Sequence, residues 1–161
     1  MNFRDFEFAP GSSHCFQWID GKVFHFDTSE LDDVDVLEAL VSTTEFRDDY
    51  IGGGVDPGGV VHGPYRLDRI SPESYTRVGA NDVSDVIDRW LARCGEISSD
   101  LRREISDRII IPAESAASCY ILGDLGESAT VGYADIHNEF HEIVLVDRSE
   151  RRVHLIVASD D

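Results

Sequence analysis

The chain has 161 residues, 42% of them hydrophobic and 29% charged, and its 32 acids against 14 bases leave a formal net charge of −18. Apolar residues this plentiful along the whole length exclude disorder and collagen-like repetition, so one α+β or similar globular domain over 1–161 is expected. So large an anionic surplus repels phosphate, which argues against direct binding to nucleic acid or to an anionic membrane.

The opening Met1-Asn2-Phe3-Arg4-Asp5-Phe6-Glu7 has neither a basic segment nor an apolar core, so no signal peptide is expected and a cytoplasmic location follows. Cys15–Ile19 and Lys22–Phe26 flank Asp20-Gly21, a pair favoured in two-residue turns, and predict a hairpin with Trp18 opposite Val23 and Phe16 opposite His25. Thr28 or Ser29 can cap a helix running to about Phe46, with Val34, Leu37 and Val41 as its stripe and Leu31 and Leu40 beside them. No Lys or Arg lies between Lys22 and Arg47, yet this stretch holds Asp27, Glu30, Asp32, Asp33, Asp35, Glu38 and Glu45. Glu30, Asp32 and Asp33 also suit the positive end of the helix dipole, a purely structural reason for their presence.

From Arg47 to Ser71 the chain is irregular, with a glycine loop at Gly52–Gly59 and short strands expected at Val60–His62 and Tyr65–Leu67. The next helix is the clearest: Val83, Val86, Ile87, Trp90, Leu91 and Cys94 recur on one face, Asn81 or Asp82 caps it and Gly95 stops it. A further helix runs from about Ser99 to Ile109, with Leu101, Ile105 and Ile109 inward and Pro112 ending it. Strands follow at Ser118–Leu122 and Thr130–Tyr133, then a hairpin of Glu142–Asp147 and Arg152–Val157. Setting Asp147 opposite Arg152 pairs opposite charges at the turn and puts Val144, Val146, Val153, Leu155 and Val157 on one core face. Ile143, Leu145, His154 and Ile156 then face the other way, half covered. The four-residue run Ile143–Val146 is the longest aliphatic stretch, far short of the ~20 residues of a membrane span. The order predicts an α+β fold, an antiparallel sheet with about three helices packed mainly on one side.

Motifs with chemistry are scarce. The glycine loop lacks the Lys of a phosphate-binding loop, Pro57 replaces the third glycine of a dinucleotide fingerprint, and its neighbours Asp48, Asp49 and Asp56 have the wrong sign for phosphate. His137, Glu139 and His141 form the densest cluster of possible metal ligands. Their H-N-E-F-H order is not the zinc motif, and in a strand residues four apart lie about 13 Å from one another. Arg102, Arg103 and Arg108 could bind an anion or simply pair with Glu104 and Asp107. Cys15, Cys94 and Cys119 lack C-x-x-C spacing, and no nucleophile sits in a catalytic motif, so no cofactor is expected.

In size, charge, element order and the closing hairpin Val144-Leu145-Val146-Asp147 with Val153-His154-Leu155-Ile156-Val157-Ala158-Ser159-Asp160-Asp161, the chain resembles the immunity proteins of bacterial polymorphic toxin systems. That resemblance implies a non-enzymatic, antitoxin-like inhibitor that caps the active site of a cognate toxin. Toxins acting on nucleic acid carry basic clefts, where an acidic helix and loop could stand in for phosphates. The contact surface expected here is Asp32, Asp33, Asp35, Glu38, Asp48 and Asp49, with the Gly52–Gly59 loop. One alternative is a metal-dependent hydrolase using His137, Glu139 and His141. Another is a salt-adapted scaffold or regulatory protein, because 13 Arg against the single Lys22 is similar to usage in halophiles and high-GC bacteria.

Overall fold

A computed structural model of the chain describes residues 1–27, 31–132 and 134–160. At its centre is the closing hairpin, β6 (Glu139–Asp147) and β7 (Arg152–Asp160), in the register that sets Asp147 opposite Arg152. The turn is held by Asp147, whose carboxylate accepts from Ser149 Oγ at 2.7 Å and from the Glu150 amide at 3.0 Å. Ile143, Val144, Leu145 and Val146 are all fully buried, so both faces of this hairpin are core. The second face, expected to be half covered, is closed over Ile143, Leu145 and Ile156, while His154 stays half-buried.

The Asp20-Gly21 turn does not form. Gln17–His25 is one strand, β1, paired with β7 along its whole length from Gln17 opposite Asp160 to His25 opposite Arg152. Trp18 therefore lies opposite Ser159 and Val23 opposite His154. A two-residue turn is a local preference, and a nine-residue ladder against a strand already buried in the sheet outweighs it.

β5 (Ser118–Leu122) lies where the sequence places it and pairs with β6. β4 (Tyr75–Val78), which has no sequence signal of its own, adds outside β5, giving the antiparallel order β1-β7-β6-β5-β4. A small separate hairpin joins β2 (Val61–His62) and β3 (Tyr65–Arg66). The strand expected at Thr130–Tyr133 is absent as such: Thr130 makes an isolated bridge to Tyr65, and Tyr133 lies outside the described residues.

α1 (Asp33–Ser42) covers one face of the sheet, and α2 (Ala80–Leu91), α3 (Ser99–Ile105) and α4 (Ile111–Ser115) cover the other. The fold is thus α+β, with the helices mainly on one side. Thr28, Ser29 and Glu30 lie outside the described residues; the cap observed is Asp32, which accepts from the Asp35 amide at 2.9 Å. The buried stripe of α1 is Val36, Leu37 and Leu40, while Val34 is 56% exposed. Leu37 and Leu40 are buried as expected and Leu31 and Val41 partly so; Val36 takes the place expected for Val34 in the face that docks against Phe46 and Ile70.

α2 begins after Gly79 and runs through a 3-10 turn to Cys94, where Gly95 at φ +79° stops it as expected. Pro112 does not end the third helix. A π-helical turn at Ser106–Ile110 links α3 to α4, and Pro112 sits in the first turn of α4. The wider turn accommodates a residue with no N–H and a ring that crowds the preceding carbonyls. Two cores result. Ile19, Ile143, Leu145 and Ile156 pack under Val83, Ile87, Trp90 and Leu101, and Val144, Val146, Val153 and Leu155 pack under Leu37, Leu40 and Phe46.

Candidate functional site

The six acids expected at a partner surface have different environments. Asp35 and Glu38 are exposed on α1 and, among the described residues, join no ion pair. Asp32 is exposed as the helix cap. Asp33 turns inward: its carboxylate accepts from Ser118 Oγ at 2.5 Å and Tyr120 Oη at 2.7 Å and pairs with Arg148. Burial works to raise its pKa, but these hydrogen bonds and the Arg148 charge prevail and hold it below the ordinary value. Asp33 thereby ties α1 to β5 and to the β6–β7 turn. Asp49 accepts from the Ile51 amide at 3.0 Å, and its carbonyl meets His137 Nε2 at 3.0 Å.

Asp48 is buried and belongs to a cation site already filled from within. Lys22, the lone lysine, donates to Asp48 at 2.8 Å, to the Glu45 carbonyl at 3.1 Å and to Tyr50 Oη at 3.2 Å. Its ammonium also sits 4.5 Å from the centre of the Tyr50 ring. Trp18 stacks on Tyr50 at 5.7 Å between centroids. Together with Asp20 and the glycine loop these side chains line an open cleft of about 790 Å³. Burial, with the charges of Glu142 and Asp48, pushes the Tyr50 phenol up, so it stays protonated at any ordinary pH.

Behind this cleft lies a polar network that no motif announces. His62 Nδ1 donates to the Phe46 carbonyl at 2.5 Å, its other ring nitrogen bonds Glu142, and Tyr75 Oη donates to the second Glu142 oxygen at 2.6 Å. His62 and Glu142 have no exposed surface, so no substrate reaches them. Phe46 stacks flat on the imidazole at 3.6 Å, and Phe140 closes it edge-on. Gly63, at φ +51°, makes room for Phe140: a Cβ there would fall 2.3 Å from its ring. The network joins β2, β4 and β6 and fixes the segment that carries Asp48 and Tyr50. A signal for it existed in the sequence: Glu142 shares the period-two face of Val144 and Val146, and a carboxylate on a core face requires partners.

Of His137, Glu139 and His141, only the last two are brought together. His137 contacts Ser159 Oγ at 3.1 Å and packs against Trp18 and Phe140 on the α1 side of the sheet. His141 pairs with Glu139 at 2.9 Å and lies near Trp90 on the opposite side, where Arg93 also binds Glu139 at 2.5 Å. Among the described residues no group of three His, Cys, Asp or Glu could hold a metal ion. Arg103 and Arg108 pair with Asp100 and Glu104 along their own helix at 3.0 and 2.9 Å. Cys94 is buried, its thiol pushed up to about 12 by burial and by the neighbouring Cys15.

No protein-family model and no curated protein matches the chain. Two crystal structures of citrus MAF1, in different crystal forms, are similar to it. The first has a TM-score of 0.44 at 11% identity over 98% of this chain and 92% of that one. The second has 0.42 at 10% identity over 89% of each. Among the described residues no helix is long and apolar enough to cross a membrane.

Proposed function

We propose that the chain is a non-enzymatic inhibitor that binds a cationic protein partner, as an immunity protein binds its cognate toxin. The observation that carries this reading is the outward face of α1. Asp32, Asp35 and Glu38 project from it with no base on the helix, and the sole lysine of the neighbouring cleft is neutralised by Asp48. A field of this sign suits a basic active-site cleft, with charge steering the encounter, and the stacked Trp18 and Tyr50 of the Lys22 cleft offer aromatic anchors. Asp33 and Asp48 serve the same reading indirectly, by holding α1 and the Tyr50 segment in place.

The partner expected is the toxic domain of a large secreted protein encoded immediately upstream. Co-expression of that domain with the chain should restore growth. Reversing the charge of Asp32, Asp35, Glu38 and Asp49 together should slow association at least tenfold and flatten its salt dependence. Growth arrest that persists with the chain present defeats the reading, and an unchanged on-rate removes the acidic face from it.

A further inference from the structure

We infer that the free edge of β1 is a strand-addition site for an extended segment of the cationic partner, a segment alternating basic and aliphatic residues; this rests on the function proposed above. β1 is an edge strand, and in an antiparallel pair every second residue turns its backbone groups away from the neighbour. Ile19 does so already: its N–H donates to the Met1 carbonyl at 2.8 Å, and its own carbonyl accepts from the Met1 amine at 2.6 Å. The next outward residues are Gly21, Val23 and His25. All three are exposed, and among the described residues their outward N–H and C=O groups meet no other backbone. This open run of five residues, about 17 Å, is long enough for a short added strand.

Edges of this kind are usually blunted by a proline, a bulge or an outward lysine, because they recruit other chains. β1 has no proline and pairs with β7 without a bulge, and Lys22 is folded onto Asp48 instead of guarding the edge. Nor is the flank flat. The edge is bordered on the α1 side by the Trp18–Tyr50 cleft and on the α3 side by a second cleft of about 330 Å³, lined by Val23, Ile109, Pro112 and Ile156. Asp20 and Lys22 border both. An added strand sends successive side chains to opposite sides, one into each cleft.

The chemistry of the two clefts defines the occupant. In the first, the Asp20 carboxylate lies beside two aromatic rings and only 3.8 Å from Lys22, whose closer bond is to Asp48 at 2.8 Å, so Asp20, 45% exposed, keeps acceptor surface for a guanidinium or ammonium group. In the second, Val23, Ile109, Pro112 and Ile156 offer aliphatic surface, with Asp107, Arg108 and His154 also in the lining. A second copy of this chain would bring another −18 to the same edge, so charge favours a basic partner strand over self-pairing.

The test uses the full chain and an end-blocked eight-residue peptide of alternating Val and Arg, with a Val–Glu peptide of equal length for comparison. Binding of the Val–Arg peptide should slow amide exchange at Gly21 and Val23 at least tenfold. Gly21→Pro, which removes an outward donor and leaves the β7 ladder intact, should weaken binding about tenfold. A Val–Arg peptide N-methylated on alternate backbone nitrogens gives the same comparison on the unaltered protein. Binding that survives both changes, with no protection at Gly21 and Val23, overturns strand addition while leaving the cationic-partner reading standing. Equal protection by Val–Glu keeps the edge but overturns the basic occupant. Absence of binding overturns the proposal, and so does concentration-dependent protection without peptide, which would assign the edge to a second copy.

Discussion

Glu142 stands on the core face of β6 between Phe140 and Val144, and what makes this tolerable is that both of its oxygens are met. Tyr75 takes one and His62 the other, and His62 passes its second nitrogen to the Phe46 carbonyl. Removing one partner leaves a buried polar group stranded, which costs more than the bond itself contributes. Tyr75→Phe should therefore lower unfolding stability by about 1–3 kcal/mol, and His62→Phe by about 3–5 kcal/mol. Replacing His62 and Glu142 together by apolar residues should recover much of the second loss. Urea unfolding of the three variants checks this, and a double variant as unstable as His62→Phe alone would refute the coupling.

At the scale of elements, the tie that orients α1 is Asp33, bridging to Ser118, Tyr120 and Arg148. Its carboxyl pKa is held below 3.8, so the folded state binds a proton there less readily than the unfolded chain does. The stability this gives is present above the unfolded value and is lost as pH falls through the folded one. Asp33→Asn should consequently lower stability near pH 7 and flatten the acid limb of the stability–pH curve below about pH 4. Thermal unfolding from pH 2.5 to pH 7 reads both effects; an unchanged acid limb would assign acid sensitivity to other carboxylates. β1 shows the opposite relation between residue and element. Asp20-Gly21 is a strong turn signal in isolation, and the ladder to β7 overrides it, leaving Gly21 exposed in extended backbone with nothing within 4 Å of where a Cβ would stand.

For the molecule as a whole, a net charge of −18 means that most long-range interactions within the fold are repulsive. Raising NaCl from 10 mM to 1 M shortens the screening length from about 30 Å to about 3 Å. Repulsion between scattered acids should fade, while the part-buried Lys22–Asp48 pair at 2.8 Å is screened much less. The unfolding midpoint should rise by several degrees across this range, measurable by calorimetry. A fall would show that the internal pairs outweigh the surplus, and collapse of the fold at low salt would favour the salt-adapted scaffold over the inhibitor.

The chain by itself determined what short-range periodicity and charge can encode. The closing hairpin is written in alternating aliphatics and in the Asp147–Arg152 pair, and the α2 stripe in six apolar residues at helical spacing. The strand Ser118–Leu122 and the acidity of the α1 segment are equally local. Tertiary structure alone decided the matters that depend on distant partners. β1 became one strand because β7 offered nine ladder positions, and β4 exists because β5 had an open side. Val34 turned outward because Phe46 and Ile70 fixed the docking face of α1, and His137 was parted from His141 because it stands in the turn before β6, outside the strand that carries His141. Asp33 and Asp48 became internal anchors instead of free surface charge because Arg148 and Lys22, 115 and 26 residues away in sequence, arrive beside them. A local pattern can state which face of a segment is apolar or acidic. Which face meets which neighbour is settled only when the segments pack together.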